Sequence, residues 1–101
     1  MTAVSIDFHP DTETTRPFFV FKQEGFIGLT LFEDILPELI AALKGNKLNE
    51  NDYFWNDICV HKTKTQCKIL KHAIEQPLLQ IDSVQLSKLI AHLTATYPDK
   101  T

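Results

Sequence analysis

Apolar residues alternate with polar ones at the start of the chain, where Val4, Ile6 and Phe8 lead into His9-Pro10-Asp11 and a polar run to Arg16. This pattern predicts a short strand followed by a loop. Phe18 to Phe21 then form a β-prone run, Glu24-Gly25 supplies a turn, and apolar character resumes from Phe26 to Leu31. An antiparallel hairpin whose aromatics fill the core is expected there. From Phe32 the period lengthens. Leu36, Leu39, Ile40 and Leu43 fall on one helical stripe, Glu33, Asp34 and Glu38 suit the positive N-terminal end, and Gly45 can close the helix. Pro37 lacks an N–H and is accommodated only in the first turn, so regular helix is expected to start near Asp34 to Leu36.

Asn46 to Asp52 is polar and predicts a loop. Tyr53 to His61 and Lys64 to Lys71 are two β-prone stretches around a Lys-Thr-Lys-Thr segment, which predicts a second hairpin without the Asn-Gly signature. Leu78 to Ile81 follows Pro77 as a further short strand. Asp82 with Gln85 three residues on resembles a capping box, Leu86, Leu89, Ile90 and Leu93 make a second helical stripe, and Pro98 bars continuation past Tyr97.

The two stripes resemble one another. Leu36-Pro-Glu-Leu-Ile-Ala-Ala-Leu43 and Leu86-Ser-Lys-Leu-Ile-Ala-His-Leu93 share five of eight residues at a separation of fifty, and each follows a Leu-x-aliphatic triplet, Leu29 to Leu31 and Leu79 to Ile81. Two strand-then-helix units predict an α+β two-layer sandwich, an antiparallel sheet built from two hairpins with two amphipathic helices packed on one face. The helical period is generic, so the likeness does not require a duplication.

With 101 residues, residues 1–101 form one expected domain, because a second core would not fit. An apolar fraction of 44% and a charged fraction of 23% belong to a folded globular chain. Acidic residues near the N-terminus replace the basic start and apolar run of an export signal, and Glu33, Asp34, Pro37 and Glu38 interrupt the longest apolar stretch. The expectation is a cytoplasmic protein with no membrane association, whose Cys59 and Cys67 remain thiols within strands. A net charge of −3 argues against direct nucleic-acid binding, and the charge is lopsided: residues 1–58 hold ten acidic and four basic side chains, residues 59–101 three and six.

Nucleotide-binding and hydrolase signatures are missing, and only three glycines are present to build phosphate cradles. Cys59, His61, Cys67 and His72 are the best metal-ligating candidates, yet their spacing matches no structural zinc pattern; neither a metal nor any other cofactor is expected. His9, His61, His72 and His92 are scattered candidates for acid–base chemistry in a small nuclease, the enzymatic alternative. A homodimeric structural or regulatory module is the other alternative. The segment from Glu50 to Asp57 carries the strongest functional signal. Tyr53, Phe54 and Trp55 are bracketed by Glu50, Asp52 and Asp57, and strand alternation would put Tyr53 and Trp55 on one face and Phe54 on the other. Tyr and Trp are favoured interface anchors, and flanking carboxylates suit Lys or Arg on a partner, so Glu50, Asp52, Tyr53, Trp55 and Asp57 are the candidate partner-binding residues; the alternative is that all three aromatics pack inward at a sheet corner.

In its length of about a hundred residues, acidic bias, α+β pattern and acidic-aromatic strand, the chain resembles the small immunity proteins of bacterial contact-dependent growth inhibition systems. The resemblance implies a non-enzymatic protein that binds the basic nuclease domain of a cognate toxin; its oligomeric state is open, with a monomer favoured when free. Acidic side chains, with Glu33, Asp34 or Glu38 joining those of the strand, would stand in for the phosphates of the toxin's substrate.

Overall fold

The computed structural model describes residues 3–98. Strands β1 (Ser5–His9), β2 (Phe18–Lys22) and β3 (Leu29–Phe32) form a three-stranded antiparallel meander. A 3₁₀ turn over Glu33–Ile35 leads into α1 (Leu36–Lys44), with Pro37 in its first turn as its missing N–H requires. Strands β4 (Asn51–Trp55), β5 (Ile58–Lys62), β6 (Gln66–Lys71) and β7 (Leu79–Asp82) form a four-stranded meander, and α2 (Ser83–Thr96) follows directly. The α+β class is as expected, but the strands divide between two sheets instead of forming one. Tyr53 to His61 is also two strands, not one. Asn56, at φ 50°, turns the chain between Trp55 and Ile58, a left-handed conformation that Asn tolerates better than most residues.

Strand alternation fills the core. Phe19, Phe21, Leu29 and Leu31 from the first sheet, Ile58, Val60, Ile69, Leu79 and Ile81 from the second, and Leu36, Leu39, Leu43, Leu89 and Leu93 from the helices belong to one core cluster. The capping box at the start of α2 is complete: the Gln85 amide donates to Asp82 Oδ1 at 2.8 Å and the Asp82 amide donates to Gln85 Oε1 at 3.1 Å. At the other end, Tyr97 packs its ring edge-on to Phe19, centroids 4.8 Å apart.

Among the described residues two polar side chains are buried, and each answers backbone groups that the ladders leave over. Gln23, just past β2, donates from Nε2 to the Gln80 carbonyl at 2.6 Å and accepts from the Gln80 amide at 2.8 Å. It thus acts as a rung added to the outer edge of β7. Lys62 donates from Nζ to the carbonyls of Leu43 and Gly45, closing the C-terminal end of α1 with a cation where the helix dipole is negative.

Gly28 donates its amide to Leu78 at 2.9 Å, beside one edge of the four-stranded sheet, while the Phe32 ring meets Trp55 on the opposite edge strand. The strand between these anchors must therefore cross the end of that sheet. Four residues at about 3.3 Å each nearly match three inter-strand gaps of about 4.8 Å. Gly28 has φ 90°, and a Cβ there would stand 2.8 Å from the Phe21 carbonyl oxygen, so the crossing strand starts at a position only glycine fits.

Gln23→Leu keeps the volume but strands the amide and carbonyl of Gln80, and is expected to lower the unfolding free energy in urea by about 2–3 kcal/mol. A loss under about 0.5 kcal/mol would mean water substitutes for the side chain. Lys62→Met removes the cap from α1 and is expected to cost about 1–3 kcal/mol, with amide exchange accelerated first in the last turn of that helix.

Candidate functional site

The five residues singled out around β4 do not share a surface. Tyr53 lies opposite Cys59 and Asn51 opposite His61, where Asn51 Oδ1 and His61 Nδ1 are 2.9 Å apart; both pairs lie on the sheet face turned away from the helices. Asp52 lies opposite Val60, on the core side, with Oδ1 3.8 Å from Lys47 Nζ and Oδ2 facing Gly45. Between Tyr53 and Trp55 the register slips: Phe54 is the extra residue of a bulge, and Trp55 pairs with the core residue Ile58. The expected alternation, with Tyr53 and Trp55 together, is thereby broken. Tyr53 stays 51% exposed, whereas Phe54 and Trp55 are half-buried against the core. Glu50 is exposed before the strand, and Asp57 is half-buried in the turn, its carbonyl accepting from the His72 amide at 2.9 Å.

Trp55 instead belongs to a different neighbourhood. Its ring stands edge-on to Phe32 with centroids 6.2 Å apart, and the Arg16 guanidinium lies 4.1 Å over the Phe32 ring. Arg16 Nη2 reaches both oxygens of Asp34, at 2.6 and 2.5 Å. This ion pair is mostly exposed and so contributes little to stability, but it fixes a cation over an aromatic ring. The sequence signal for the arrangement was the Arg16-Pro-Phe-Phe junction and Asp34, which become neighbours only when β2 and β3 pair.

The titratable groups are dispersed. His9 stacks on Phe18, His61 meets Asn51, His72 follows β6, and His92 lines a cleft of about 270 Å³ between α2 and β1. That cleft has a mainly apolar floor of Val4, Ile6, Ile81 and Leu89, with Lys88 and His92 at its side and no carboxylate among the described residues that line it. The four candidate metal ligands do not converge: Cys59 pairs with Leu70 on the outer face, and Cys67 pairs with Lys62 on the core face. Among the described residues no group of three or more His, Cys, Asp or Glu side chains is arranged to hold a metal ion. No described helix is long and apolar enough to cross a membrane. Both cysteines are free and buried. Burial pushes the Cys59 thiol up, reinforced by the charge of Asp52, and burial pushes Cys67 up to about 11 despite the opposing effect of Lys62. Thiols held protonated in this way are poor nucleophiles near neutrality.

Comparison with protein-family models, with curated proteins and with solved structures gave no match to this chain.

Cys67 provides a pH test. Below pH 9.0, its ordinary value, the folded and unfolded chains both hold the proton, and the group's contribution to stability is full. Above that the unfolded chain ionises first, so stability is lost until the folded thiol also ionises at about 11. The stability advantage of wild type over Cys67→Ala, from urea midpoints, is therefore expected to be constant from pH 7 to 8 and to shrink between pH 9 and 10.5. A difference independent of pH across that window would refute the raised thiol.

Proposed function

We propose that the chain is an immunity-type protein that binds and neutralises a basic toxin domain of the nuclease class. The observation that carries this reading is where the negative charge lies. Residues 3–34, which build the three-stranded sheet, hold six acidic and two basic side chains, so this portion alone is more negative than the whole chain at −3. Both basic residues are already matched, Arg16 with Asp34 and Lys22 with Asp7 at 3.3 Å. A portion of the chain with this net negative charge attracts a domain that evolved to hold a polyanion, raising the encounter rate and disfavouring neutral or acidic partners. The dispersed histidines and protonated thiols lend no comparable support to the nuclease alternative.

Co-expression of the tagged protein with the products of its adjacent genes is the test. The expected result is a stoichiometric complex with a basic domain whose nuclease activity is suppressed, with association slowing steeply as salt is raised from about 50 to 500 mM. Recovery of the protein alone, with no effect on the activity of any neighbouring product, would overturn the reading.

A further inference from the structure

The outer face of the three-stranded sheet carries the rings of His9, Phe18 and Phe32, a row that ends against Trp55 of the other sheet, itself half-buried against the core. His9 stacks on Phe18 with centroids 4.7 Å apart and planes 6° apart, Phe18 lies directly across from Phe32, and Phe32 meets Trp55. Phe18 and Phe32 lie outside the core cluster and are half-buried.

The second half of the molecule serves as an internal control. Leu29 and Leu31 correspond to Leu79 and Ile81 at the separation of fifty, and their cross-strand partners, Phe21 and Phe19, correspond to Ile69 and Cys67. These inward pairs are apolar and buried in both hairpins. The outward pairs diverge. Where the first hairpin has Phe18 opposite Phe32, the second has Gln66 opposite Asp82; where the first has Val20 opposite Thr30, the second has Lys68 opposite Gln80. The same ladder thus forms with polar residues facing out, so the aromatic row is not a requirement of strand pairing.

We infer that this row, His9–Phe18–Phe32–Trp55, is the docking surface for an arginine-bearing segment of a basic protein partner. The chain already shows how the surface takes a guanidinium: Arg16 lies over Phe32 and Asp34 binds its edge. Ring beneath and carboxylate beside is the pairing that suits arginine's flat, forked cation better than lysine's compact one. Asp11 follows His9 by two residues and Asp57 follows Trp55 by two, so each end of the row has a carboxylate close to it along the chain. The excess negative charge of residues 3–34 favours a protein cation over a nucleic acid on these rings. The identity of the partner as a toxin domain rests on the function proposed above; the chemistry of the surface does not.

Trp55 is the sole tryptophan, so its fluorescence reports on one end of the row. Titrating the full chain with nona-arginine at low salt is expected to give a saturable change in that emission, and nona-lysine to bind about tenfold more weakly. Phe18→Ala, outside the core, is expected to weaken nona-arginine binding about tenfold, and Asp11→Asn with Asp57→Asn to flatten its salt dependence. Unchanged binding in Phe18→Ala, an equal loss in Tyr53→Ala on the other sheet, or tighter binding of a single-stranded oligonucleotide would each overturn the proposal. A toxin domain that co-purifies equally well with Phe18→Ala would sink the surface assignment while leaving the immunity reading intact. Arginine binding in a protein that captures no neighbouring product would do the reverse.

Discussion

The side chain of Gln23 closes the edge of a sheet to which it does not belong. An edge strand leaves every second backbone amide and carbonyl without a strand partner, and at Gln80 both are taken up by one carboxamide. Burial makes this arrangement consequential, because a donor or acceptor left unmet inside costs more than the bond itself contributes. With Gly28 bonded to Leu78 beside it, the loop between β2 and β3 is held against β7. The direction of β3 follows from that anchorage, and so does the meeting of Phe32 with Trp55 at the far edge. The Phe32–Trp55 end of the aromatic row therefore depends on a polar contact at the opposite end of β3.

Lys62 applies the same logic at a helix end. A cation inside a small core is tolerated when its hydrogen bonds are met, and here the acceptors are carbonyls that the last turn of α1 leaves unmatched. The bond joins β5 to α1, while α1 in turn packs on β4 and α2. The positive end of Lys62 also lies near Cys67, where it partly offsets the burial that keeps the thiol protonated. Both buried polar residues thus connect parts of the chain distant in sequence, Gln23 to Gln80 and Lys62 to Gly45.

Local chemistry explains which features were readable in the sequence. The stripes of α1 and α2, the Asp82 and Gln85 capping box, the stop before Pro98 and the strand after Pro77 all depend on neighbours within a few residues, and they form where expected. Asn56-Asp57 was equally local, a two-residue turn hidden within an aromatic and aliphatic run that reads as one strand. The bulge at Phe54 was not readable, because the slip appears only in relation to β5. It also decides the candidate site, sending Tyr53 and Trp55 to opposite faces. The division into two sheets was beyond local patterning as well. Alternating residues specify that a strand has an inner and an outer face, not which neighbour it pairs with.

The fifty-residue correspondence also exposes a cost carried by the aromatic face. Asp82 begins α2 as its N-cap and completes a capping box, whereas the residue fifty positions earlier, Phe32, starts the 3₁₀ turn that leads into α1 and makes no side-chain capping bond, and neither does Ile35, the N-cap of α1 itself. A missing cap of this kind typically costs about 1 kcal/mol. The first half instead enters its helix through the 3₁₀ turn of Glu33–Ile35, with Glu33 and Asp34 near the positive end of the helical segment. An Asp at position 32 would suit the start of the helix better, but it would remove the ring that carries Arg16 and faces Trp55. Selection for helix stability alone would favour the cap in both halves. The ring at Phe32 serves the recognition proposed for the outer face, and that role and the helix cap conflict at this one position.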